Sequence, residues 1–333
     1  MMAIPARATC RLSETQVHCK PVVVMVGPTA VGKSRVAVEV AKVFETEVLT
    51  ADSRQVYRGM DVGTDKPVPE ERQAVPHRLI DLVDPDESFN AGLYRRQAVD
   101  EIERLYRDRR LPLVVGGTGL YVRTLLKGLC DAPPADPIVR AALRQEAKDQ
   151  GYDRLYARLV DVDPAAAARL HPRDESKVIR ALEVHQLSGR RMSEFQQEHG
   201  FAKRPFSALL IGLNRERGAL YRRIEERIDW QLAHGLIEET KQLLARGYQR
   251  DSAAMKGLGY RQVAEHLAGE YDVAEMVRRF KRDTRHFSKR QMTWFRKEPG
   301  IQWLTIEEPE LVQHTAALVI GQVDRFLTTL REG

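Results

Sequence analysis

A doubly wound α/β fold, interrupted by a helical insertion, is the architecture that this 333-residue sequence predicts. Three observations lead there. A β-branched run, Pro21 to Val26, opens directly into a glycine-rich octapeptide and then into a helical stretch. Further short apolar runs alternate with helix-forming segments, as parallel strands joined by crossover helices do. From Ile138 to about Gln197, helix formers take over and strand signals stop.

Taken in order, PVVVMV at 21–26 reads as a buried first strand, followed by GPTAVGKS and a helix over Arg35 to Phe44. Glu47 to Thr50 reads as a second strand, leading into the turn-rich segment ADSRQVYRGMDVGTDKP. Residues 91–110 read as a charged helix, and Leu111 to Val115 as a third strand that ends in GGTGLY. DAPPADP, after Cys130, is a linker-like break before the helical stretch. ALLIGL at 208–213 then looks like a strand returning to the same sheet, which favours an insertion over a tandem domain. The expected division is a disordered extension over 1–20, a core of 21–130 and 206–315, and an insertion over 131–205. From about Glu216 to Lys297 the core should be helical and basic.

Composition narrows the function classes. Hydrophobic residues at 43% and charged residues at 30% are ordinary for a globular protein, and a net charge of +6 suits a polyanionic partner. Cys10, Cys19 and Cys130 show neither CxxC spacing nor a paired histidine, so neither a zinc site nor a disulfide framework is indicated. His171, His185, His199, His234 and His286 are too scattered to suggest a metal cluster. No apolar run reaches the ~18 residues of a membrane span, and the first 20 residues lack a signal peptide's apolar stretch. A cytoplasmic protein with no membrane partner is expected.

Gly27, Pro28, Thr29, Ala30, Val31, Gly32, Lys33 and Ser34 match GxxxxGK[ST] between a strand and a helix, where a phosphate-binding loop must sit. Its backbone N–H groups converge on phosphate oxygens and the helix N-terminus adds to the field. Lys33 would reach a terminal phosphate, and Ser34 could ligate Mg²⁺. The LPLVV strand ends in Gly116-Gly117-Thr118 without an acid; the carboxylate stands after the second strand, as Asp52. That arrangement argues for group transfer over a motor-type hydrolase, and leaves a kinase open. Between Arg278 and Lys297 stand nine Lys/Arg against a single acid, Asp283. Phe280, Phe287 and Trp294 recur every seven residues, so an aromatic face toward the core and a basic face toward phosphates are expected.

The ordered motifs GPTAVGKS, ADSRQVYRGMDVGTDKP, PHRLID, GGTGLY, RALEVHQLSG, MKGLGYRQ and KRQMTWFRK closely resemble those of the tRNA dimethylallyltransferases, from about Val22 to Arg296. The resemblance implies a P-loop NTPase-like core bearing a helical insertion. It implies transfer of a dimethylallyl group from dimethylallyl diphosphate to the exocyclic amine of the adenosine 3′ of the anticodon, by a monomer. Asp65 stands where the family has a small residue, and the zinc finger of eukaryotic members has no counterpart.

The resemblance also assigns residues. Asp52 would be the general base, although Asp-Ser is equally good turn chemistry; Arg223 would hold the diphosphate, although Arg222 and Arg227 stand nearby. Ser53, Arg54, Gln55 and Thr118 would read the target nucleotide, which must leave its stack to react. Further tRNA contacts fall on Arg140, on Ser176, Lys177, Val178, Ile179 and Arg180, and on Lys289, Arg290, Gln291, Met292, Thr293, Trp294, Phe295 and Arg296. His77 in PHRLID reads as structural. An adenylate isopentenyltransferase, a P-loop kinase and a tRNA-binding NTPase are the competing readings.

Overall fold

The computed structural model describes residues 11–200, 205–309 and 311–332. They fall into two compact units: residues 1–126 with 205–333, and residues 127–204.

The first unit is built on six strands: β1 (Pro21–Val26), β2 (Val48–Thr50), β3 (His77–Arg78), β4 (Leu113–Gly116), β5 (Ser207–Arg215) and β6 (Ile301–Ile306). All pair in parallel, in the order β3-β2-β4-β1-β5-β6. β1 is buried along its whole length because both faces of a parallel sheet are covered by helices. The chain moves from β1 to one side of the sheet and later returns to β5 on the other. This reversal places the carboxyl ends of the inner strands where such sheets bind ligands.

Local chemistry sets the strand ends close together. Gly32 caps the helix Lys33–Val43 at φ 107°, a conformation glycine takes without strain. That helix buries Val36, Ala37, Val40 and Ala41. At the end of β4, a Cβ on Gly116 would stand 2.0 Å from the Ala51 carbonyl oxygen. Ala51 N donates to Val115 O at 2.8 Å, and Thr118 N donates to Ala51 O at 3.1 Å.

Several expectations need correction. Glu47 lies outside β2 and gathers Arg78, Arg104 and Arg110 at 2.8, 2.6 and 3.0 Å. Burial pushes its carboxyl up, but the Arg78 and Arg104 guanidiniums outweigh this and hold it below the ordinary range. The edge strands β3 and β6 were not expected. The core continues past residue 315, through the helix Val312–Glu332, which buries Ala316, Val319, Ile320 and Val323. The expected disordered extension fails over residues 11–20. The helix Glu14–His18 is capped by Ser13, and buried Gln16 donates Nε2 to Leu327 O at 2.8 Å. Residues 1–10 lie outside the described residues.

The second unit consists of the helices Pro137–Gln150, Tyr152–Val162, Pro164–Ala167, Glu175–Ser188 and Met192–His199. Leu143, Leu155, Leu159, Val178, Ile179 and Leu182 form its core. At one edge the fully buried Glu183 accepts from Arg140 at 2.9 and 3.0 Å, from Arg180 at 2.6 Å and from Asp136 N at 2.7 Å. Replacing Glu183 by alanine strands the Arg140 guanidinium and the Asp136 N–H, and leaves Arg180 only its bond to Pro133 O. Because both arginine side chains are 33% or less exposed, the expected loss is about 2–3 kcal/mol. An unchanged urea midpoint in Glu183→Ala would show that this carboxylate is dispensable.

Candidate active site

The phosphate loop is braced from three directions. A Cβ on Gly27 would stand 2.6 Å from Leu213 O, so the loop leaves β1 pressed against β5. Thr29 N donates to Gln291 Oε1 at 2.8 Å, and Gln291 Nε2 donates to Gly117 O at 3.0 Å. The helix Arg217–Ala233 presents Arg223, Arg227 and Gln231 at four-residue intervals, on one face. Arg223 Nε donates to Ala30 O at 3.1 Å, Arg227 to Thr29 Oγ1 at 2.8 Å, and Gln231 Nε2 to Val62 O at 2.9 Å.

Lys33 Nζ donates to Pro28 O at 2.7 Å. The residue keeps some surface in solvent, but its ammonium is desolvated under the loop. This pushes its pKa down to about 8, with the Asp52 charge opposing the shift and Arg227 adding to it. Ser34 is the second residue of its helix and exposed, so its hydroxyl is available at the positive helix end.

Beside the loop lies a cavity of about 640 Å³. Thr29 and Ala30 line it from the phosphate loop, Asp52, Ser53 and Arg54 from the segment after β2, and Thr118 from the segment after β4. Arg54, Arg227, Lys256, Arg261, Arg282 and Arg290 supply positive charge, against only Asp52 and Asp283. Such a wall attracts an anion. Asp52 forms the turn that its Asp-Ser sequence offers and still faces the cavity. Its Oδ1 accepts from Arg54 N at 2.8 Å and Gln55 N at 3.4 Å, an Asx turn, while Oδ2 takes no hydrogen bond among the described residues. Thr118 Oγ1 accepts from Ser53 N at 3.0 Å, locking the two segments together. Arg54 reaches Ala253 O at 2.5 Å.

Other assignments move. Gln55 donates Nε2 to Thr64 O and Asp65 O at 3.1 and 3.0 Å, and does not line the cavity. Arg227, passed over in the sequence, lines the cavity, whereas Arg223 does not. The four-residue spacing puts both arginines on one face, beside the buried Ile224 and Ile228, and does not distinguish them.

In the helix Val273–Phe295, Gln291, Met292 and Phe295 point inward and cannot offer side chains to RNA. The aromatic stripe divides: buried Phe280 and Phe287 both line the cavity, whereas Trp294 is half-buried beneath the Arg123 guanidinium, 4.3 Å from its ring centre. Glu275, Asp229, Asp283 and Glu225 pair with Arg278, Arg279, Lys281, Arg282 and Arg285. Lys289, Arg290, Arg296 and Lys297 have no carboxylate partner among the described residues, so free positive charge gathers at the helix C-terminal end. Thr293, exposed on that same end, turns its hydroxyl to Lys289 O at 2.9 Å.

In the second unit, Val178 and Ile179 belong to the core, Arg140 and Arg180 are held by Glu183, and Lys177 pairs with Asp174. Ser176 and Lys177 are exposed.

Residues 55–298 match the family model described as IPP transferase. The chain belongs to the IPP transferase family. It is 49% identical over 282 residues to a tRNA dimethylallyltransferase of Geobacter sulfurreducens, covering 85% of this chain and 91% of that protein. A tRNA dimethylallyltransferase of Thermomicrobium roseum is 46% identical over 291 residues, covering 87% and 88%. Among solved structures, the full-length tRNA isopentenylpyrophosphate transferase of Bacillus halodurans is 36% identical. It superposes with a TM-score of 0.70 over 94% of this chain and 98% of that one. A eukaryotic dimethylallyltransferase solved acting on tRNA is 27% identical, with a TM-score of 0.78 over 92% and 80%. The fold is thus the P-loop NTPase-like fold of these transferases, and the chain is a prenyltransferase.

Two outcomes follow for the phosphate loop of this IPP transferase. Lys33 is charged below a pH of about 8, whereas an ordinary lysine keeps its proton to 10.5. Pyrophosphate affinity should therefore fall as pH rises above about 8, by up to tenfold per unit. Calorimetric titrations across that range should show the dependence in the wild type and its loss in Lys33→Met. Gln291→Met keeps the volume but leaves Thr29 N and Gly117 O without their partner. It should cost about 1–3 kcal/mol of stability and weaken pyrophosphate binding, and wild-type values for both would remove Gln291 from the loop's support.

Proposed function

We propose that the enzyme transfers a dimethylallyl group from dimethylallyl diphosphate to the exocyclic N6 amine of the adenosine 3′-adjacent to the anticodon of tRNA. One observation carries this reading: a single cavity is lined both by the phosphate loop and by Asp52, a carboxylate with one oxygen unengaged. That pairing supports alkyl transfer to a nitrogen nucleophile better than hydrolysis. The names of the relatives, tRNA dimethylallyltransferase among them, support the same donor and acceptor.

In the reaction the allylic C–O bond breaks and its electrons leave with the diphosphate. The exocyclic nitrogen forms the new C–N bond and loses a proton to Asp52 Oδ2. Negative charge grows on the diphosphate as the bond opens, so Lys33, Arg227 and the loop N–H groups stabilise the transition state more than the ground state. Among the described residues no group of three His, Cys, Asp or Glu could cage a metal. Mg²⁺ takes few protein ligands and completes its shell with phosphates and water. Ser34 would hold it beside the diphosphate, where it would supply charge neutralisation. The adenosine must leave its stack to reach the cavity. The unpaired cations Lys289, Arg290 and Arg296, with the exposed Ser176 and Lys177 of the helical unit, would meet RNA phosphates. A cytoplasmic enzyme is in keeping with its tRNA substrate.

The deciding assay supplies Mg²⁺, dimethylallyl diphosphate and unmodified tRNA, with AMP replacing tRNA and ATP replacing the donor in parallel. Isopentenyladenosine detected by mass in tRNA alone supports the reading, and product on AMP would move the assignment to a free-nucleotide acceptor. Asp52→Asn keeps the turn's acceptor oxygen and removes the base. Its kcat should fall by about 10²–10⁴-fold with tRNA affinity within twofold; an unaltered kcat excludes Asp52 as base. Reversing charge at Lys289 and Arg290 should weaken tRNA binding and flatten its dependence on salt, whereas an unchanged slope would place the RNA elsewhere.

A further inference from the structure

Asp65 stands in the left-handed region at φ 56°, a conformation aspartate tolerates better than most residues. Its backbone is held from both sides. Its carbonyl oxygen accepts from Gln55 Nε2 at 3.0 Å. The next residue, buried Lys66, donates to Tyr57 O, Asp61 and Asp81 at 2.5, 2.7 and 2.6 Å. The half-exposed carboxylate so placed lies 3.4 Å from Arg227, whose other bond is to Thr29 of the phosphate loop. Lys33 also lies within the field of Asp65. An acid aimed at the cations of an anion site opposes the anion that the site exists to hold.

We infer that Asp65 is a release residue: it competes with diphosphate for Arg227 and so weakens retention of the diphosphate product. The inference rests on the reading that the phosphate loop takes the donor diphosphate. Breaking the allylic C–O bond leaves one more negative charge on the diphosphate than the ester carried. Repulsion from Asp65 therefore acts more strongly on product than on donor. Arg227 turns to the diphosphate while the loop is filled and returns to Asp65 as it leaves. The pair is partly exposed, so its influence is modest and depends on salt.

The test is product inhibition by inorganic pyrophosphate with Mg²⁺ present, in wild type, Asp65→Asn, Arg227→Gln and the double variant. Asparagine keeps the left-handed backbone and the size of the side chain. Asp65→Asn should lower the inhibition constant about three- to tenfold and lower the KM for dimethylallyl diphosphate by less. Arg227→Gln should raise the inhibition constant, and adding Asp65→Asn to it should change nothing further. An unchanged constant in Asp65→Asn overturns the inference. So does a raised one, which would make Asp65 a holder of the magnesium diphosphate. An equal gain with and without Arg227 would reduce Asp65 to a diffuse field and remove the competition. Failure of pyrophosphate to inhibit the wild type would instead fell the donor-site reading itself, and this inference with it.

Discussion

One amide side chain, Gln291, joins the phosphate loop to the segment after β4, and its two hydrogen bonds set where the rest of the site can stand. The amide uses its acceptor on Thr29 N and its donor on Gly117 O, so no simpler side chain could replace it. Gly117 must lack a side chain for this contact, since a Cβ there would fall 2.3 Å from the Gln291 nitrogen. Thr118, the next residue, brings in Ser53 and with it the segment that carries Asp52. Phosphate loop, Asp52 and basic helix are thus parts of one hydrogen-bonded frame, built from the carboxyl ends of three neighbouring strands.

Much of this frame was legible in the sequence, because its parts depend on local chemistry. A β-branched run before GxxxxGKS predicts a buried strand and a phosphate loop without knowledge of anything distant. Asp52, Thr118 and the insertion were found in the same way, with the family resemblance adding their roles. The edge strands were missed for different reasons. β3 has two residues, too few for a period, and β6 lies on the rim, where IQWLTI is only partly buried.

What the sequence could not decide was which face of a helix looks inward. Arg222, Arg223 and Arg227 are chemically alike, and only packing reveals that Arg227 lines the cavity. The aromatic stripe failed through geometry. A straight helix turns 3.6 residues at a time, so positions seven apart drift by about 20°. Phe280 and Phe287 therefore both reach the cavity wall, and Trp294 has turned away from it beneath Arg123. Carbonyl and carboxylate partners from distant segments, such as Glu225 for Arg285, are likewise invisible before folding.

The fork at Glu183 has a consequence for the conformational entropy of the surface it shapes. Arg140 and Arg180 carry two positive charges against one buried negative, so a single net charge remains on a surface whose geometry is already set. A free arginine must give up its rotational freedom when a phosphate captures it, at about 0.5–1.5 kcal/mol for each side chain so ordered. These two lose that freedom when the helical unit folds. The two guanidiniums so held form a rigid template in place of mobile tethers, and their fixed geometry is as much a product of the fold as their charge.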